Sequence, residues 1–215
     1  MKKLILFDLD GTLMDTIEDL GEAVNHALGL KGLPLHSMDE YPAMVGHGIR
    51  NLVKNALPEE LKNDDELLDG CLAIFKEYYS GHIDIHTRPY EGMPGLLRDL
   101  DGRGVKLAVV SNKFEEGAEK LVREFFAGIP FVCILGNRPG HPLKPDLAIV
   151  EEVLALARVD KRDTVLVGDS IPDMLTAEGG GIDAIAVSWG YCPAADLVSY
   201  PLARTPEELR QMLIG

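Results

Sequence analysis

The sequence predicts an α/β protein: a doubly wound, Rossmann-like parallel sheet with a small all-helical cap inserted after the first strand. Three observations carry this. Continuous apolar runs such as Leu4-Ile5-Leu6-Phe7 and Thr164-Val165-Leu166-Val167 read as strands buried on both faces of a sheet. From Arg88 onward such runs alternate with helical patterns, and that alternation implies parallel strands joined by right-handed crossovers. Between them, the stretch from Leu33 to His86 shows helical periodicity and no strand signal. The expected division is a core of 1–15 and 87–215 around a cap of 16–86.

The first strand ends in Asp8-Leu9-Asp10-Gly11-Thr12. Carboxylates at a strand's C-terminal end lie in the crevice where open α/β sheets bind ligands. Two Asp residues one position apart, followed by a glycine whose amide permits close approach, suit phosphate and Mg²⁺ chemistry. The same residues read, more plainly, as a strand end with an Asp-Gly turn. Asp15 is the expected N-cap of the next helix, with Glu18 three residues on and Ile17, Leu20, Val24, Ala27 and Leu28 at helical spacing.

In the cap, Ser37 is placed to start a short helix through Met44. Ile49, Leu52, Val53 and Ala56 mark a second, and Leu67, Leu68, Cys71, Leu72, Phe75, Tyr78 and Tyr79 a third. The turn Gly46-His47-Gly48, followed by Arg50, either faces the crevice and contacts substrate or simply connects two helices.

Later elements follow in order. A helix through Leu96, Leu97 and Leu100 closes at Gly102 and Gly104, and a strand over 105–110 delivers Ser111-Asn112-Lys113. A helix over 115–126 and a strand over 131–135 lead to a loop carrying Lys144-Pro145, then a helix over 146–157. The strand over 164–167 ends in Gly168-Asp169-Ser170-Ile171-Pro172-Asp173. A helix, a strand over 184–187 and a final helix entered through Thr205 and Pro206 complete the pattern.

Composition narrows the function. A formal charge of -14 and a pI near 4.8 oppose general nucleic-acid binding, which needs clustered Lys and Arg. A Mg²⁺ ion and a few local cations still suffice to hold one phosphate in a negative protein. Cys71, Cys133 and Cys192 are odd in number and far apart, neither a disulfide framework nor a zinc site, and they fit a reducing compartment. The apolar run after Met1-Lys2-Lys3 breaks at Asp8, and no stretch approaches the ~20 apolar residues of a membrane span. A cytoplasmic protein without membrane partner is expected, as monomer or homodimer.

All strand C-termini of a parallel sheet share one edge, so Asp8, Asp10, Ser111, Asn112, Asp169 and Asp173 are expected to meet there, with Lys144 reaching in from its loop. Singly each has a plain reading: Asp169 as a cap, Ser111 as a turn residue, Lys144 as a surface lysine. Taken together and in order, Asp8 to Asp15, Ser111-Asn112-Lys113, Lys144-Pro145 and Gly168 to Asp173 resemble the four motifs of the haloacid dehalogenase superfamily. Gly46-His47-Gly48 and Trp189-Gly190-Tyr191 further resemble its phosphoglycolate phosphatase branch.

The resemblance implies a Mg²⁺-dependent hydrolase of a small phosphorylated metabolite. Asp8 would be the nucleophile and Asp10 the acid/base residue. Mg²⁺ would be held by the Asp8 and Asp169 side chains and the Asp10 backbone carbonyl, with Asp173 behind them. Ser111, the amides around Asn112, and Gly11 and Thr12 would bind the phosphate, Lys144 would offset charge, and His47 and Arg50 would reach substrate from the cap. The Asp10 carboxyl separates phosphatases from the dehalogenases. A phosphosugar mutase resembling β-phosphoglucomutase, another small-molecule phosphatase such as a pyrophosphatase, and a binding protein without turnover are the alternatives. A phosphonate hydrolase using a cap lysine is a further one, but Lys31 and Lys54 lie in no motif.

Overall fold

The computed structural model describes all 215 residues, Met1–Gly215. Six strands form one sheet: β1 (Leu4–Phe7), β4 (Lys106–Phe114), β5 (Phe131–Asn137), β6 (Thr164–Gly168), β7 (Asp183–Val187) and β8 (Leu202–Ala203). Two further short strands are β2 (Met14–Asp15) and β3 (Arg88–Pro89). The order in the sheet is β5-β4-β1-β6-β7-β8, and every neighbouring pair is parallel. The chain therefore builds outward in both directions from β1. The order reverses between β1 and β6, the switch point beside which such sheets hold ligands.

Side-chain alternation along the strands divides the core in two. Ile5 and Phe7, with Leu107 and Val109, point into a cluster of 39 buried residues, whereas Leu4, Leu6, Ala108 and Val110 join one of 15 on the opposite face. The smaller cluster is covered by α6 (Ala148–Ala157) and α7 (Ile171–Gly180), through Val150, Val153, Met174 and Ala177. The larger takes in α4 (Met93–Gly102), α5 (Glu115–Phe125) and α8 (Pro206–Ile214), through Leu97, Leu121 and Leu209. It also takes in the helical segment between β2 and β3: α1 (Ile17–Leu30), α2 (Ile49–Ala56) and α3 (Asp65–His82). Val24, Val53, Phe75 and Tyr79 are fully buried in it. The buried side chains of the helical segment are thus continuous with this larger cluster.

The chain leaves the sheet through β2 and returns through β3, and these two strands pair antiparallel, Met14 with Pro89 and Asp15 with Arg88. Asp19, buried in the first turn of α1, strengthens the junction by accepting from the amides of His86 (2.9 Å) and Thr87 (2.9 Å). The N-cap of α1 is Thr16, not Asp15. Asp15 is drawn into β2, and its Oδ1 accepts from the Tyr191 hydroxyl at 3.0 Å. Ser37 does start a short helix, a 3₁₀ turn over Met38–Ala43 with a reciprocal Ser37–Glu40 capping box. Likewise α6 begins at Ala148, because the Asp146 carboxylate accepts from the Ala148 amide at 2.8 Å.

Candidate active site

The candidate carboxylates are set by strand ends, and Lys144 comes from the loop after β5. β1 delivers Asp8, which is 7% exposed, to the crevice edge, and a tight loop then turns the chain back at Asp10. Leu9 O accepts from the amides of Leu13 (3.0 Å) and Met14 (3.0 Å), and Gly11 N donates to Met14 O at 2.8 Å. Gly11 holds φ +86°, and a Cβ there would strike the Asp169 carboxylate. Only glycine lets the loop backbone pass so close to the end of β6.

The Asp8, Asp169 and Asp173 carboxylates each present an oxygen within 4.8 Å of the other two. Lys144 is their fixed counter-charge: Nζ donates to Asp8 Oδ1 (2.7 Å), Asp173 Oδ1 (2.5 Å) and Val110 O (2.9 Å). Asp173 Oδ2 accepts from the Ser170 hydroxyl (2.5 Å) and amide (3.2 Å), so both its oxygens are engaged in aiming Lys144 and capping α7. Asp169 accepts from the Thr12 hydroxyl (3.2 Å) and the Tyr191 amide (2.8 Å).

Three buried carboxylates cluster beside one ammonium that touches only Asp8 and Asp173, and the imbalance shapes the protonation of Asp8 and Asp169. Burial pushes Asp8 up to about 7, with the charges of Asp173 and Asp10 adding to it and Lys144 opposing. Asp169 is pushed up to about 8 by burial and by the neighbouring charges of Asp8 and Asp173. For Lys144 burial acts to depress the ammonium, but Asp173 and Asp8 outweigh it and hold it above its ordinary value. Such an acidic, oxygen-only cluster fits a hard divalent cation, which would neutralise the excess charge; Asp8 and Asp169 are the available side-chain ligands.

Asp8, Asp169 and Lys144 line a cavity of about 210 Å³, with Asp173 fully buried behind them. Its floor is Asp8, Asp10, Ser111, Asn112, Lys113, Lys144 and Asp169. Its roof is the helical segment: Leu20, Pro42, Ala43, Val45, the Gly46–Gly48 turn, Ile49 and Leu52. The turn therefore faces the crevice, and His47 is an exposed part of its wall. Arg50 is not among the lining residues. Its guanidinium is engaged by Asp69 (2.5 Å) and Asp65 (3.2 Å) along α3. Thr12 is fully buried behind Asp169, so its hydroxyl orients that carboxylate and does not open to the cavity.

Lys113 received no role from the sequence, yet it is 3% exposed and holds Asp10. Nζ lies 3.1 Å from Asp10 Oδ1 and 2.6 Å from the hydroxyl of Tyr79 on α3, whose ring it also faces at 4.8 Å. The available signal was a lysine at the end of an otherwise apolar buried strand, a place lysine seldom occupies without a partner. Trp189-Gly190-Tyr191 buttresses the same loops: Trp189 Nε1 donates to Thr12 O at 3.1 Å, and the Tyr191 hydroxyl accepts from the Thr16 amide at 2.6 Å.

A six-stranded parallel sheet with an acidic trio at its switch point and a helical roof defines the class of protein. The chain belongs to the family described as haloacid dehalogenase-like hydrolase, whose profile matches residues 5–187. Within it the chain stands with the phosphatases. It is 34% identical to the phosphoglycolate phosphatase of Pseudomonas savastanoi pv. phaseolicola, over 100% of this chain and 80% of that protein. It is 32% identical to phosphoglycolate phosphatase 1 of Pseudomonas aeruginosa, over 99% and 79% respectively. A solved structure from Lactobacillus delbrueckii subsp. bulgaricus, provisionally described as a phosphoglycolate phosphatase, superposes with a TM-score of 0.92 at 32% identity, covering 99% of this chain and 98% of that one. No helix is long and apolar enough to cross a membrane.

Proposed function

We propose that this protein is a Mg²⁺-dependent phosphomonoester hydrolase acting on a small metabolite such as 2-phosphoglycolate, through an aspartyl-phosphate on Asp8. The observation that carries the reading is that Asp8 and Asp10 after β1, Ser111 in β4, Asp169 after β6 and Lys144 from the loop after β5 line one small cavity. The phosphoglycolate phosphatases among its relatives support the substrate class.

In the first step an Asp8 oxygen bonds to phosphorus while the bond to the leaving oxygen breaks, and Asp10 gives that oxygen its proton. In the second step Asp10 takes a proton from water as the water oxygen attacks the same phosphorus, freeing phosphate and restoring Asp8. Lys144 keeps the Asp8 oxygen aimed and offsets the negative charge that gathers as the phosphoryl group arrives. The Ser111 hydroxyl and the amides around Asn112 receive phosphate oxygens at the cavity floor. A cation held by Asp8, Asp169 and the Asp10 carbonyl would supply charge neutralisation and orientation of the phosphoryl oxygens. The helical segment serves as a cap that limits substrate size and keeps water out.

The test is a panel of phosphorylated metabolites, including 2-phosphoglycolate, pyrophosphate and a hexose 1-phosphate, assayed with and without Mg²⁺. Free phosphate released only with the metal, lost in Asp8→Asn without loss of fold, is the expected result. Undiminished turnover in Asp8→Asn overturns the nucleophile, and isomerised phosphosugar without phosphate release gives the mutase reading instead.

A further inference from the structure

Asn112 lines the cavity, yet its side chain is used up by protein. Nδ2 donates to Gly46 O in the cap turn (3.1 Å) and to Lys144 O (3.1 Å), while Oδ1 accepts from the Lys144 amide (2.8 Å). Both amide hydrogens and the carbonyl oxygen are engaged, and the two carbonyl acceptors fix which end of the side chain is nitrogen. The residue is 8% exposed, so these bonds are shielded from competing water. Packing repeats the link. A Cβ on Gly48 would meet Leu143, next to Lys144, at 3.0 Å and the Asn112 carbonyl oxygen at 3.6 Å.

We infer that Asn112 is a positioning residue: it brackets the backbone of Lys144 and couples the placement of that lysine to the docking of the Gly46–Gly48 turn. The inference rests on the phosphatase reading for its catalytic consequence, but the coupling itself is a property of these three hydrogen bonds. With the turn docked, Lys144 is held at both its amide and its carbonyl, and its ammonium reaches Asp8 and Asp173. With the turn withdrawn, Asn112 loses one acceptor and the lysine loop loses the packing of Gly48 on Leu143. Coupling of this kind is reciprocal, so a ligand that engages Lys144 and Asp8 also favours the docked turn. The site becomes competent when the roof is down.

The test combines hydrogen exchange with steady-state kinetics, using orthovanadate with Mg²⁺ as the phosphate probe. In the wild type, orthovanadate is expected to slow exchange at the strand ends and also across 45–48. In Asn112→Ala the turn and the Lys144 amide exchange faster without ligand, and orthovanadate protects the strand ends but no longer the turn. The kcat falls about 10- to 100-fold, in line with loss of a partner that orients a reacting group, while KM moves less than about threefold. Asn112→Asp keeps the size and the acceptor facing the Lys144 amide but cannot donate. Its turn is expected to lose protection as in the alanine variant while the Lys144 amide keeps its acceptor, and it tests the coupling where the cavity left by alanine unfolds the chain. Undiminished protection of the turn by orthovanadate in the variants overturns the inference. So does a raised KM at unchanged kcat, which makes Asn112 a direct substrate contact. If orthovanadate protects no strand end in the wild type, the phosphatase reading falls. Faster exchange of the turn in both ligand-free variants, and of the Lys144 amide in Asn112→Ala, supports the tie independently, and unchanged exchange of the turn removes it.

Discussion

The Asp8 carboxylate and the Lys144 ammonium, 136 positions apart in the chain, meet at 2.7 Å where water barely reaches. An ion pair this buried gains little net stability over an apolar pair, but breaking it by removing one partner is costly. Lys144→Met leaves Asp8 and Asp173 facing each other without their cation. The expected cost is about 3–5 kcal/mol of stability, together with loss of most hydrolysis. Denaturant unfolding measures the first and phosphate release the second. Added Mg²⁺ should recover part of the stability and little of the rate.

Asp10 is held by Lys113 on the cavity floor, and in the proposed mechanism it is the proton donor to the leaving oxygen. Asp10→Asn is expected to slow hydrolysis of alkyl phosphates roughly 100- to 10,000-fold. Aryl phosphates with acidic leaving groups need less proton donation and should lose far less. Rates measured across a leaving-group series check this. An equal loss along the series removes Asp10 from the acid role.

Stripping divalent metal with a chelator should abolish turnover and lower Tm, because a cation that binds the folded acidic trio and not the unfolded chain stabilises the former. The Asp169→Asn variant should show little Tm response to Mg²⁺. A thermal melt titrated with Mg²⁺ reads both.

Gly190 packs where a Cβ would collide with Asp169 and with the Gly11 carbonyl. Gly190→Ala therefore pushes the Asp169 carboxylate off its Thr12 and Tyr191 donors. The expected effect is a higher Mg²⁺ requirement, by about 10- to 100-fold, at near-normal secondary structure. Activity measured against Mg²⁺ concentration tests it.

A pH effect is expected in the helical segment. His36 sits between two acceptors, with Nε2 2.8 Å from Ala56 O and Nδ1 3.1 Å from Glu40 Oε1. The Ala56 carbonyl first, with Glu40 helping against partial burial, raises the His36 pKa above its ordinary value. Only the protonated ring donates to both partners. The stabilisation is fully present below about 6.5, the unfolded histidine value, and is lost as pH rises through the higher native one. The difference in Tm between wild type and His36→Gln should thus shrink on raising pH from 6 to 8. A difference that stays constant or grows refutes it.

The strands of the sheet's centre were legible because they are short apolar runs buried on both faces, and the strand-end carboxylates were legible because β1 and β6 stop at them. The ribbon of β2 and β3 was not: two residues per strand leave no periodicity, and the pairing lies between segments more than seventy positions apart. That pairing is also why Asp15 gave up the cap position to Thr16. The strand at 105–110 runs on through Ser111 to Phe114 because β5 pairs beyond the apolar run with irregular register, which no local pattern encodes. Arg50 is expected to reach substrate from its place beside a glycine turn, but the structure pairs it with α3. Its engagement by Asp65 and Asp69 depends on how α2 and α3 pack, information held in the tertiary arrangement.

The ribbon of β2 and β3 has an architectural consequence. Because the two ends of the helical segment cross side by side, a foreign insert of quite different length could be grafted at Asp15 and Arg88 without rethreading any strand of the sheet. What such a graft must reproduce is the greasy seam: side chains equivalent to Val24, Val53, Phe75 and Tyr79, which continue the larger buried cluster beyond α4 and α5. Chimeras built at this seam will succeed or aggregate according to that match, whatever loop they carry over the catalytic floor.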